Sequence, residues 1–250
     1  MKKQALLGLM KSYYQPSQWQ HPLTNLPMTQ LALHSGCPLC QHEQCHHYHT
    51  DKLRSYYQCQ QCQLVFVARN SLPDAKTEKA VYDCHENNVD DLGYRQFLKR
   101  VAEPLIARLE PNARGLDFGC GPGPALAMML TEQGHATATY DPFFAPDHTP
   151  LQQQYDFVTC TEAIEHFHNP QYEWQQLLRL IRPGGWLAIM TKLVGTPEQF
   201  ANWHYKQDPT HVSFFSQATF KFLASRHQLT LEFIGADVML MQSRASSPTV

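Results

Sequence analysis

The run LDFGCGPGP at residues 116–124 gathers the residue types in this 250-residue chain best placed to hold a small molecule. An apolar strand closes around Asp117, then Gly119, Gly121 and Gly123 alternate, and Pro124 opens an amphipathic segment. Strand, glycine turn and helix in that order let backbone approach a nucleoside cofactor closely, because no Cβ stands in the way. The next apolar stretch, HATATYD, ends in Asp141. A carboxylate at that point can accept both hydroxyls of a ribose. The spacing is G-x-G-x-G, and Pro124 stands where a dinucleotide fingerprint has its third glycine. Asp117 would face a pyrophosphate unfavourably and suits a cofactor with a cationic amino-acid end.

A second chemistry is written in the cysteines. Cys37-Pro-Leu-Cys40 and Cys59-Gln-Gln-Cys62 are separated by 18 residues, the spacing of a four-cysteine zinc site. Two CxxC turns close a tetrahedron, and four sulfurs leave no vacancy for substrate, so the expected Zn2+ is structural. Cys45, His46, His47 and His49 lie between the pairs and are expected in a loop.

Further candidates cluster later. Thr161 and Glu162 end an apolar segment, YDFVTCT, where open α/β sheets place their ligands, and are assigned to the cofactor; Glu165 and His166 follow directly. In NWHYKQDPTHVSFF, residues 202–215, His204, Tyr205, Asp208 and His211 are dense for a connection. Imidazole is the natural base near neutral pH, so His211 is the preferred base or substrate orienter, with Tyr205 and His166 as further catalytic candidates. Lys192 could meet an anionic substrate. Phe143 and Phe144 could cover an adenine face.

The elements needed to position these groups are legible in outline. Apolar residues at helical spacing over 94–109 predict a helix that Pro104 could kink. Strands are expected at 115–118 and 135–141, with a helix over 125–133 stopped by Gly134. Only 14 residues separate Asp141 from Asp156, too few for another helix and strand, so a third strand is expected to be reduced or missing. A strand at YDFVTC, a helix over 172–181, an RPGG turn and a strand WLAIMT follow. A last helix near 216–225 and two closing strands, LTLEFIG and DVMLMQ, complete the pattern. The expected organisation is an arm at 1–30, a zinc-ribbon-like module at 31–70, a linker with a short helix at 71–93 and a Rossmann-like α/β domain at 94–250.

This succession over roughly residues 102–243 resembles the class I S-adenosylmethionine (SAM) methyltransferases, and its shortened middle resembles methyltransferase type 23. The resemblance implies SAM held by Asp117, Gly119, Gly121, Gly123, Asp141, Phe143, Thr161 and Glu162. A similar E-x-x-EH segment holds a divalent metal in some quinone-pathway O-methyltransferases. The four-cysteine segment resembles zinc modules of deoxysugar C-methyltransferases and of a ribosomal RNA guanine methyltransferase.

A SAM-dependent transfer of methyl to a small polar acceptor, such as a nucleotide-linked sugar or another metabolite, is therefore the expectation. The alternatives are an RNA methyltransferase with a ribbon docking arm, a non-catalytic SAM-binding or zinc-ribbon interaction protein, and an NAD(P) oxidoreductase. A formal net charge of −2 supplies no basic field for nucleic acid. No apolar run is long enough to span a membrane and no cleavage site follows residues 5–10, so a cytoplasmic monomer is expected.

Overall fold

A computed structural model of the chain describes residues 36–83 and 88–245; the arm expected at residues 1–30 lies outside the described residues. Two sheets carry the architecture. The larger is built from β4 (Gly115–Phe118), β5 (Thr137–Tyr140), β6 (Tyr155–Thr161), β7 (Ile181–Met190), β9 (Thr230–Ile234) and β10 (Val238–Gln242). Its order is β5-β4-β6-β7-β10-β9, with β5, β4, β6 and β7 parallel and β10 antiparallel to both its neighbours. Helices α2 (Leu92–Ile106), α3 (Ala125–Glu132), α4 (Pro170–Leu180) and α6 (Gln217–His227) accompany it.

The sequence explains this arrangement locally. β4 is buried throughout and β6 nearly so, as expected of parallel strands covered on both faces. Asp91 caps α2 by accepting from the Tyr94 amide at 2.6 Å. Pro104 lies inside α2, yet the helix runs on to Ile106. Gly134 stops α3 at φ +88°, a conformation that glycine adopts without strain.

The shortened middle is as expected. Between β5 and β6 stand only an isolated bridge from Asp141 to Ala145 and a 3-10 turn at Thr149–Gln152, so β5 is an edge of the sheet. Two local expectations are corrected. RPGG forms no separate turn, because β7 starts at Ile181 and absorbs Gly184, at φ +81°, in a register shift against β6. Cys45, His46, His47 and His49 are in β1 (Cys45–Thr50) instead of a loop, since that segment finds an antiparallel partner in β2 (Ser55–Cys59).

The smaller sheet is antiparallel, with order β1-β2-β3-β8. β3 (Val65–Val67) continues the cysteine-bearing hairpin, but β8 (Ser213–Phe214) comes from the other end of the chain. Val65 pairs with Phe214 and Phe66 with Ser213. Beneath this seam Tyr56, Val65, Val67, Phe200, Tyr205, Val212 and Phe214 form one buried cluster. Each large side chain there contributes about 1.5–3 kcal/mol by burial, so the two halves are strongly joined. Among the described residues, no helix is long and apolar enough to cross a membrane.

Candidate active site and metal centre

The glycine turn sits directly after β4. Gly119 and Gly121 have φ of +76° and +64°, and a Cβ on Gly119 would stand 2.6 Å from the Ala163 Cβ. Only glycine fits that first position without displacing a neighbour. Asp141 locks the turn: Oδ2 accepts from the Gly121 amide at 3.0 Å, and Oδ1 from the Phe143 and Phe144 amides at 2.8 and 3.0 Å.

A cleft of about 1180 Å³ opens over this turn. It reaches every expected cofactor residue: Asp117, Gly119, Gly121, Gly123, Asp141, Phe143, Thr161 and Glu162. His166 and His211 share its wall with Glu78, Tyr82 and Asp208. Asp117 is buried and accepts from the Thr159 hydroxyl at 2.7 Å; burial pushes its carboxyl up to about 6 against the pull of that bond. Glu162 holds φ +48°, unusual for a residue with a side chain. Its Oε1 and the Thr161 Oγ1 are buried without a hydrogen-bond partner among the described residues. Buried polar atoms of this kind are normally satisfied, and here both belong to residues that line the cleft. The donor set therefore fits a ligand with an ammonium group and a ribose.

The two imidazoles are oriented by backbone. His211 Nδ1 lies 2.7 Å from the Tyr205 carbonyl, and His166 Nδ1 lies 3.2 Å from the Thr210 carbonyl. A carbonyl can only accept, so each Nδ1 carries a proton, and in the neutral ring Nε2 holds the lone pair. The rings meet edge to face with centroids 4.7 Å apart. Asp208 Oδ2 is 4.0 Å from His211 Nε2. Burial raises the Asp208 carboxyl, but bonds from the Thr210 hydroxyl and amide outweigh it, so its net shift is downward.

Tyr205 differs from expectation. It is buried and off the cleft wall, with its hydroxyl donating to Glu165 and within 3.3 Å of Glu162 Oε2. Glu165 also accepts from Thr191 at 3.0 Å. Burial and then the Glu162 charge push the Glu165 carboxyl up to about 8, in spite of both hydroxyls. Tyr205 thus backs the wall that Glu165 belongs to. Lys192 also departs from expectation: it sits 2.9 Å from His204 Nε2 and over the Tyr205 ring, outside the cleft. Ligand atoms of Glu165, His166 and His211 lie within 4.8 Å of one another, whereas Glu162, the first residue of E-x-x-EH, is not in that group.

Sequence reasoning missed Glu78 and Tyr82 on α1 (Ala75–Tyr82), within the stretch read as linker. Glu78 pairs with His168 at 2.9 Å, and Tyr82 meets Phe143 and His166 edgewise or tilted. The short helix expected in that stretch is present, capped by Asp74, but nothing local marks the face it turns to the cleft.

At the other centre the four expected cysteines converge. Cys37 and Cys62 sulfurs are 3.4 Å apart, Cys40 and Cys59 sulfurs 3.5 Å, and all four lie within 4.8 Å. A tetrahedral zinc site with Zn–S near 2.3 Å has sulfur edges of about 3.8 Å, so this buried set fits the ion with little adjustment. Cys45 stands outside it, its Sγ 3.8 Å from the His42 carbonyl.

Residues 92–232 match a family model described as a methyltransferase domain, more than half of the chain. The chain belongs to that methyltransferase family, in its class I form with the third strand absent. Its similar proteins include the ubiquinone biosynthesis O-methyltransferase of Aeromonas salmonicida, 33% identical over 92 residues, covering 36% of this chain and 38% of that protein. The malonyl-[acyl-carrier protein] O-methyltransferase of Enterobacter lignolyticus is 31% identical over 145 residues, covering 49% and 57%. The chain thus spans well under two thirds of these relatives. Among solved structures, the 1,6-didemethyltoxoflavin-N1-methyltransferase of Burkholderia thailandensis superposes with a TM-score of 0.46 and 17% identity, over 80% of this chain and 99% of that one.

Proposed function

We propose that this chain transfers a methyl group from SAM to a small polar acceptor. The observation that carries the reading is one cleft joining an aspartate-locked glycine turn to a pair of imidazoles with matched tautomers. SAM supplies an electrophilic methyl group on its sulfonium. Glu162 and Asp117 would hold the cofactor's ammonium, Asp141 its ribose hydroxyls and Phe143 its adenine. His211 Nε2 takes the acceptor's proton, and Asp208 steadies the charge that then forms on the ring. His166 orients the acceptor beside it. Tyr205 serves by holding Glu165, without touching substrate. Zn2+ bound by Cys37, Cys40, Cys59 and Cys62 maintains the ribbon.

Calorimetry with SAM, S-adenosylhomocysteine and NAD tests the assignment. Binding of both sulfur nucleosides at micromolar concentration, with none for NAD, is expected. Binding of NAD alone would sink it.

A further inference from the structure

Arg54 is buried at the start of β2, and each of its five N–H donors is engaged. Nε donates to the Tyr56 hydroxyl at 3.2 Å. Nη1 donates to the Pro209 and His211 carbonyls at 2.9 and 3.0 Å, and Nη2 to the Lys206 and Asp208 carbonyls at 2.7 and 2.9 Å. The loop's other engaged carbonyls, Tyr205 and Thr210, are those that receive the Nδ1 protons of His211 and His166. One short loop thus divides its carbonyls between the ribbon's guanidinium and the cleft's imidazoles.

Among the described residues no carboxylate pairs with the Arg54 guanidinium; Asp51 accepts from the Arg54 backbone amide at 3.0 Å and from the Tyr56 hydroxyl at 2.9 Å. Asp51 in turn binds Lys206 of the same loop at 2.9 Å. A buried cation held by four carbonyls and a hydroxyl, with no carboxylate on its guanidinium, is costly to desolvate. What the guanidinium adds is geometry, because its planar fork fixes four acceptors at once. β8 continues the same attachment, with the Val67 amide donating to the Val212 carbonyl at 3.0 Å and Val212 donating to the Glu165 carbonyl at 2.9 Å.

We propose that Arg54 is a positioning residue for methyl transfer. From the zinc ribbon it holds the 205–211 loop so that His166 and His211 keep their Nδ1–H tautomers and present Nε2 to the acceptor. The ribbon is thereby a working part of the acceptor site. This rests on the cleft being the methyl-transfer site, but its test needs no turnover.

Imidazole nitrogens report their tautomer directly in long-range proton–nitrogen spectra, with the two signals assigned from His211→Asn and His166→Asn proteins. In wild type both rings should show a single Nδ1–H tautomer. In Arg54→Met, and less severely in Arg54→Lys, the tautomers should mix. Amide exchange across residues 205–214 should rise at least about tenfold, because four buried carbonyls lose their charged donor. Zinc content and S-adenosylhomocysteine affinity, read by metal analysis and calorimetry, should stay at wild-type values. Unchanged imidazole spectra and loop exchange in a folded variant would overturn the proposal. Joint loss of zinc and nucleoside binding in both variants would also overturn it, marking Arg54 as a folding residue only. Failure of wild type to bind S-adenosylhomocysteine would instead count against the methyltransferase reading.

Discussion

The Nδ1 atom of His211 donates to the carbonyl of Tyr205 across 2.7 Å, six residues back along the same loop. In the neutral ring that bond leaves Nε2 as the basic nitrogen, which is the requirement for drawing a proton from an acceptor. His211→Asn retains a short polar side chain but no titratable nitrogen. With any acceptor that supports turnover, its rate should fall by about 10²–10⁴, the usual yield of a positioned base. Affinity for S-adenosylhomocysteine should be unchanged. A variant with wild-type turnover would remove His211 from the chemistry.

Asp141 has two tasks, and its replacement should expose both. Asp141→Ala removes the ribose acceptor and strips the Gly121, Phe143 and Phe144 amides of their partner. Each orphaned buried donor costs about 1–3 kcal/mol. Calorimetry should therefore show SAM affinity weakened at least about 100-fold. Wild-type affinity in the alanine variant would end the ribose assignment.

Glu165 makes the protein's stability depend on pH in an unusual sense for a carboxylate. Its folded value of about 8 stands above the value of about 4.3 expected in the unfolded chain. A raised folded value means that the neutral form is favoured in the native state. The associated stability is complete below the unfolded value and is lost as pH rises through about 8. Glu165→Gln keeps a neutral group facing Tyr205 and Thr191, so this loss should vanish. Melting temperatures measured from about pH 5 to about pH 9 should fall more steeply for wild type than for the variant across that window. Parallel curves would show that Glu165 titrates as an ordinary carboxyl.

Metal analysis of purified protein should return one zinc per chain. Cys62→Ser should lose it, because the remaining three thiolates and one hydroxyl make a poor set for a structural ion. Since β3 and β8 share a sheet, that loss should also raise amide exchange at Ser213 and Phe214, on the far side of the seam. Exchange confined to residues 36–67 would show the two halves to be independent.

How much of this was legible beforehand follows the range of the interactions. The glycine turn, the zinc cysteines and the closing strand pair are local patterns whose meaning does not depend on distant residues. The absent third strand could be read from length alone. Tyr205 and Lys192 looked like site residues because polar groups are dense around them, but which of them faces the cleft is set by tertiary packing against Glu165 and His204. Glu78 and Tyr82 were hidden in a short polar helix, where composition suggested a linker. Arg54 carries no motif or spacing that would single it out in the sequence. Nothing local announces that its five donors are filled by a loop far along the chain.

The seam between β3 and β8 has a consequence for how the chain folds. Arg54 and Pro209 meet although they lie 155 positions apart, so the contacts that shape the imidazole loop are among the most non-local in the molecule. Such contacts form late, after their closure entropy has been met by other packing. During synthesis the cysteine hairpins can gather their ion while most of the chain is still unmade, leaving the outer edge of β3 open. Residues 212–214 would then pair with that edge once they are made, and the loop carrying His211 would be ordered late.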